Sequence, residues 1–136
     1  MSPSNRKNRL MNTSKEYLSS LANAATRLPD LISSFDVATT GLNQQLIELK
    51  SKGLIYATEH WKDGKYMTLL YPIQPGQPRQ RKYVGNDPAK VKEAQEQIQR
   101  AKEYEAIVRQ VQRIDGTLAE ALRQLTSVTQ TLSKAH

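Results

Sequence analysis

Apolar positions in this chain follow two different periods. From Leu18 they recur at Leu21, Ala25, Leu28, Ile32, Phe35, Leu42, Leu46 and Leu49, with Thr39 filling the one missing place. The spacing alternates three and four, the heptad stripe of a helix that packs on another helix. Thr13 or Ser14 can cap it, and Glu16 suits its positive N-terminal end. Two features allow another division. Pro29 lacks a backbone donor, and Gly41 follows the β-branched pair Thr39-Thr40. One helix over 14–52 is readable, and so are three, with breaks before Pro29 and near Gly41. Gly53 ends the pattern, with Lys50 and Lys52 placed against the negative end of the helix dipole.

The period then drops to two. Residues 54–61 (LIYATEHW) and 66–73 (YMTLLYPI) are rich in strand formers and flank Asp63-Gly64, a strong short hairpin signal. A two-residue turn there pairs Trp61 with Tyr66, Thr58 with Leu69 and Tyr56 with Tyr71. Leu54, Tyr56, Met67, Leu69, Tyr71 and Ile73 then form the core face, leaving Trp61, Tyr66, Glu59 and Thr68 on the other. The stretch PIQPGQP reads as a loop, and 79–84 (RQRKYV) as a third strand with Arg79, Arg81 and Tyr83 on one face.

Asp87-Pro88 is a helix start, a capping residue followed by proline at the first helical position. Beyond it Tyr104, Val111, Leu118, Leu125 and Leu132 lie seven apart, and Ile107 and Ile114 fall three residues after the first two. These are a and d positions of a coiled coil, and they are the expected dimerisation residues. The phase passes through Gly116 unchanged, so one continuous or mildly bent helix is expected. The fold class that results is α+β: N-terminal helices, a three-stranded antiparallel β-meander and a long C-terminal coiled-coil helix. A winged helix plus coiled coil is the alternative. The expected divisions are a flexible basic arm over 1–13, a helical and β module over 14–87, and the long helix over 88–136.

Charge changes the picture more than composition does. The 136 residues carry a net charge of +7. Residues 1–15 hold Arg6, Lys7, Arg9 and Lys15 with no acid; residues 50–92 hold nine bases and three acids; residues 16–49 are acidic, and 93–136 balance. Positive charge therefore gathers on the arm and on the β segment, a field that suits polyanions, DNA first among them. Arg6, Lys7, Arg9, Lys62, Lys65, Arg79, Arg81 and Lys82 are the expected contacts. The sheet reads as a basic ribbon with exposed Trp61 and Tyr66, able to lie in a groove as strand readers do.

Other chemistries find little support. The chain has no cysteine, so neither a disulfide nor a thiolate metal site is available. His60 and His136 have no ligand-spaced partner, and no phosphate loop or nucleophile motif occurs. Neither catalysis, a metal nor a cofactor is expected. No apolar run reaches the length of a membrane span, and the basic N-terminus has no apolar stretch behind it. The expectation is a protein of the bacterial cytoplasm or nucleoid, with DNA and a second copy of itself as partners. The rival is an adaptor or inhibitor whose coiled coil binds another protein without touching DNA.

Two resemblances bear on this. The stretch LPDLISSFDVATTGLNQQLIELKSKGLI resembles the helix-turn-helix part of winged-helix DNA-binding regulators over about 45 residues. That likeness implies that Asn43 and Gln44 face the major groove and that 62–65 form the wing tip. The run Tyr83-Val84-Gly85, ahead of Asp87-Pro88 and a long helix, is similar to small uncharacterised proteins of bacterial plasmids, phages and integrative elements. In these a β-meander ends in Tyr-aliphatic-Gly and leads into a coiled coil. It implies a mobile-element setting and a helix–sheet–helix order.

Overall fold

The structure is a computed structural model that describes residues 3–135, with side chains described for 11–135. Its elements run α1 (Pro3–Lys52), β1 (Thr58–Lys62), β2 (Tyr66–Leu70), β3 (Arg81–Gly85) and α2 (Pro88–Lys134). The class is α+β, two long helices with a three-stranded antiparallel sheet in the order β1-β2-β3. The chain divides into two compact units, Met1–Thr40 and Gly41–His136, with the division inside α1. No helix among the described residues is long and apolar enough to cross a membrane.

In the first unit the backbone is helical from Pro3, where the sequence suggested a flexible arm. Pro29 lies inside α1 without ending it, although it forfeits one backbone bond. Leu28, Phe35 and Thr39 are half-buried, at heptad places, and the Thr39 hydroxyl donates to the Phe35 carbonyl at 2.7 Å. Of the two readable divisions, one helix is the outcome. The turn that a helix-turn-helix needs before Gly41 is not formed, so the winged-helix alternative loses its defining element.

The second unit holds the core. Met67 and Leu69, at 0% and 1% exposure, point from β2 onto Ala94 and Ile98 of α2. Ile55, Ala57, Tyr71, Val84 and Val91 pack around them. Ala94 and Ala101 are small and buried, so helix and sheet can approach closely. Full burial of a Met or Leu is worth ~1.5–3 kcal/mol, so this thin core depends heavily on β2. Asp87 caps α2 as expected: its carboxylate accepts from the Ala89 N–H at 3.1 Å, with Pro88 next to it. α2 then continues through Gly116 to Lys134.

The junction between α1 and β1 is built by α2. Gly53 takes φ 98°, a left-handed conformation that glycine adopts without a Cβ penalty. Arg100 donates from Nε to the Gly53 carbonyl at 3.1 Å and from Nη2 to the Lys52 carbonyl at 3.0 Å. These acceptors are exposed by the ending of α1, and the guanidinium meets two of them at once. The Ile55 N–H donates to the Gln97 carbonyl at 3.1 Å, which fixes the approach to the sheet.

The hairpin departs from the expected register by one residue. Lys62 pairs with Tyr66, Trp61 with Met67 and Thr58 with Leu70. Asp63 and Gly64 do form the turn, at φ 56° and 66°, and the Lys65 N–H donates to the Lys62 carbonyl at 3.0 Å. Lys65 then stays in the loop as a third residue, and every side chain of β1 changes face. The physical reason is the core. The expected register would send Thr58, His60 and Lys62 toward α2, whereas the observed one places the Trp61 ring opposite Met67. Ile55 and Ala57 face the core in place of Leu54 and Tyr56; Tyr56 is 44% exposed and Ile73 72%. On the other side β3 pairs Tyr83 with Thr68 and Arg81 with Leu70, with an irregularity beside Met67/Thr68 that leaves Val84 as the extra residue.

Candidate nucleic-acid interface

Because side chains alternate along a strand, the register sorts the sheet into two sets. Glu59, Trp61, Met67, Leu69 and Lys82 belong to the α2 side. Thr58, His60 and Lys62 of β1, Tyr66, Thr68 and Leu70 of β2, and Arg81 and Tyr83 of β3 belong to the outer side. Most of the outer set is exposed, with Tyr66 at 38% and Tyr83 at 66%. Among the described strand residues the outer face carries no acid. The one acid in the strands, Glu59, faces α2, where it accepts from Gln95 at 3.3 Å and from the Trp61 indole N–H at 3.2 Å.

The geometry of this face is simple. Lys62 stands at one end, opposite Tyr66; Arg81 stands at the other, opposite Leu70. Four residue steps along β2 separate those ends, or about 13 Å. Three strands make the face about 10 Å across. A major groove is about 12 Å wide. A sheet of this size fits between two phosphate rims, with a cation toward each and Tyr66, Thr68, Tyr83 and His60 between them. The hydroxyls and the imidazole can donate or accept at base edges.

The expected contacts do not all gather here. Lys62 and Arg81 do, and Lys65 sits in the adjoining turn. Arg79 lies in the loop before β3, its Nε donating to the Tyr71 carbonyl at 3.1 Å. Lys82 is opposite Leu69 and lines a groove of about 500 Å³ beside Lys90 and Glu93 of α2, on the other side of the sheet from Arg81. Asn43 and Gln44 are exposed on α1, outside any recognition helix of a helix-turn-helix. Trp61, expected on the outer face, is on the α2 side at 39% exposure. Arg6, Lys7 and Arg9 lie outside the described side chains. Sequence reading missed His60 as a member of the outer face; the signal was its alternation with Lys62, which only the correct register connects to Tyr66 and Thr68.

The expected dimerisation residues divide. Tyr104, Ile107, Val111 and Ile114 are half-buried. Leu118, Leu125 and Leu132 are 37%, 41% and 50% exposed, and Val128 is 43% exposed.

A second cluster lies at the end of the sheet away from the hairpin. Tyr56 donates its hydroxyl to Glu105 Oε1 at 2.8 Å. Partial burial, that hydrogen bond and the nearby charge of Glu105 push the phenol up from 10.0 to about 12, with Tyr104 adding to the effect. Searches of family models, of curated proteins and of solved structures return no match to this chain.

Proposed function

We propose that this protein binds double-stranded DNA by laying the outer face of its sheet in the major groove. The observation that carries the reading is the sorting of charge by the sheet: an outer face whose strand residues include no acid, bordered by Asp63 of the turn, with a cation at each end and hydrogen-bonding side chains between. Lys62 and Arg81 contact phosphates on opposite rims and set the register, and Lys65 adds charge at the tip. Tyr66, Thr68, Tyr83 and His60 face the bases. The exposed apolar stripe of α2 from Leu118 to Leu132 joins two copies, so that two sheets engage one site and the protein acts as a dimeric regulator or accessory factor. The mobile-element setting implied by Tyr83-Val84-Gly85 belongs to the same proposal.

The test is a salt series. Binding that neutralises phosphates weakens as salt rises, because counterions are released. Lys62→Ala combined with Arg81→Ala is expected to flatten the slope of log affinity against log salt by about 2. Affinity that ignores salt, or a slope unchanged in the double variant, refutes the reading. The exposed stripe favours a second reading, an adaptor whose coiled coil binds another protein. On that reading the double variant retains full function and the chain shows no retention on DNA.

A further inference from the structure

A groove of about 520 Å³ lies between the end of the sheet and α2. Its floor includes Ile55, Ala57, Ile98 and Ala101, and Tyr56 forms part of its wall. Three cations line it: Arg79 from the loop before β3, and Lys102 and Arg109 from α2. The one acid on the wall is Glu105, one helical turn from both Lys102 and Arg109, a spacing at which surface ion pairs form. Glu105 instead accepts the Tyr56 hydroxyl. The ion pairs among the described residues are Arg100 with Glu93 and Arg123 with Glu120, so Lys102 and Arg109 have no acid partner there. Arg79 is tethered through Nε to the Tyr71 carbonyl, which leaves its terminal nitrogens for another acceptor.

An aromatic wall fixed by a hydrogen bond, an apolar floor and unneutralised cations around it are the parts of a single-strand nucleotide site. The base stacks, and the cations hold the phosphates. The volume lies within the range of small-ligand sites. The groove is also continuous with the outer face. Thr58 and Leu70, cross-strand partners on that face, line the groove as well, and Arg81 stands beside Leu70. A strand whose phosphate rests on Arg81 meets Arg79 two residues earlier in the chain, and then the pair on α2.

We infer that this groove takes an unpaired nucleotide at the end of, or a break in, the duplex that the outer face holds. The inference rests on the proposed DNA reading and makes it narrower: the preferred substrate is a junction of double and single strand, and Tyr56, Arg79, Lys102 and Arg109 recognise the single-stranded side. An acidic peptide is the other anion that could meet these cations; the stacking wall and the shared edge with the outer face favour the nucleotide.

The experiment uses the full chain and three labelled probes at one low salt concentration, read by fluorescence anisotropy: a blunt duplex, the same duplex with a short single-stranded tail, and a short oligothymidylate. The wild type is expected to bind the tailed duplex about tenfold more tightly than the blunt one. Lys102→Gln with Arg109→Gln is expected to remove that gain and leave blunt-duplex affinity unchanged. Both residues are exposed, so the fold is retained, as circular dichroism will check. Tyr56→Leu is expected to remove the gain as well, which a purely electrostatic contact would not do. Equal binding of blunt and tailed duplex by the wild type, persistence of the gain in the double variant, or displacement of the tail by an acidic peptide but not by oligothymidylate would each overturn the inference. Blunt-duplex binding without a tail preference sinks the groove and spares the outer face. Oligothymidylate binding that depends on Lys102 and Arg109, without duplex binding, does the reverse, and binding of no probe sinks both.

Discussion

The two faces of the sheet are made from the same short strands, yet they do opposite things. Toward α2 the strands present Met67, Leu69 and Trp61, with Glu59 tied to Gln95 of the helix. Away from it they present Lys62, His60, Tyr66, Thr68, Arg81 and Tyr83. In the first set Met67 and Leu69 close on a helix and exclude water. The second has nothing apolar to bury except part of Leu70, and its charge is of one sign. The difference teaches that a single choice, the number of residues in the Asp63-Gly64 turn, assigns β1 to its two tasks. With Lys65 in the loop, Trp61 takes the α2 side, at 39% exposure, and His60 and Lys62 take the outer side.

The largest expected effect tests the inner face. Leu69→Ala removes one of the two fully buried large side chains and is expected to cost ~2–5 kcal/mol. In so thin a core the chain will unfold at a much lower denaturant concentration. Thr68→Ala, one residue away and on the other face, is expected to change stability by less than about 0.5 kcal/mol. Equal losses for the two substitutions in parallel urea melts would erase the distinction between the faces.

The turn comes next. Gly64 sits at φ 66°, and alanine there is expected to cost ~1–2 kcal/mol because Cβ approaches the following carbonyl. The core selects the register and the turn has to accommodate it, so strain there should also disturb Trp61, which reports by fluorescence. A Gly64→Ala variant with native stability and an unchanged Trp61 spectrum would show that the core alone holds β1 in place, with no contribution from the turn.

Much of this was legible in the residues. The Asp87-Pro88 start of α2, the heptad phase through Gly116, the antiparallel meander and the facing of Met67 and Leu69 all follow from local chemistry and period. The face of β1 did not. Residues 54–62 alternate without a clear apolar side, with Leu54, Tyr56 and His60 on one and Ile55, Ala57, Glu59 and Trp61 on the other. Only contact with α2, which is distant in sequence, decides between them. Pro29 was equally undecidable: a proline inside a helix and a proline that starts one look the same until the flanking residues are seen to continue. The groove was invisible for the same reason, since Tyr56, Arg79 and Lys102 come from three parts of the chain. Arg81 and Tyr83 share a face as expected, because alternation within β3 needs no partner, whereas Arg79 falls in the loop before the strand.

A third substitution separates binding from folding. Lys62 and Arg81 are exposed, so their joint change to alanine is expected to move stability by less than about 0.5 kcal/mol while, on the proposed reading, weakening DNA binding. A large loss of stability in thermal melts would mean that these cations serve the fold, and the division between the faces would blur.

The smallest effect concerns Tyr56, at the end of the sheet where the two faces meet. Its folded pKa is about 12 against 10.0 for the free side chain. A folded value above the unfolded one means that the neutral phenol is favoured in the native chain. The associated stability is complete below pH 10 and is lost as pH rises toward 12. Partial burial is the first cause, and it remains when Glu105 becomes Gln; the negative charge beside the hydroxyl does not. Glu105→Gln is therefore expected to bring the Tyr56 titration down part of the way toward 10, read by phenolate absorbance as the difference from a Tyr56→Phe control. A titration that stays at about 12 would assign the whole shift to burial. A return to 10 would assign it to Glu105, and the acid would then hold the ring at the boundary between the buried face and the exposed one.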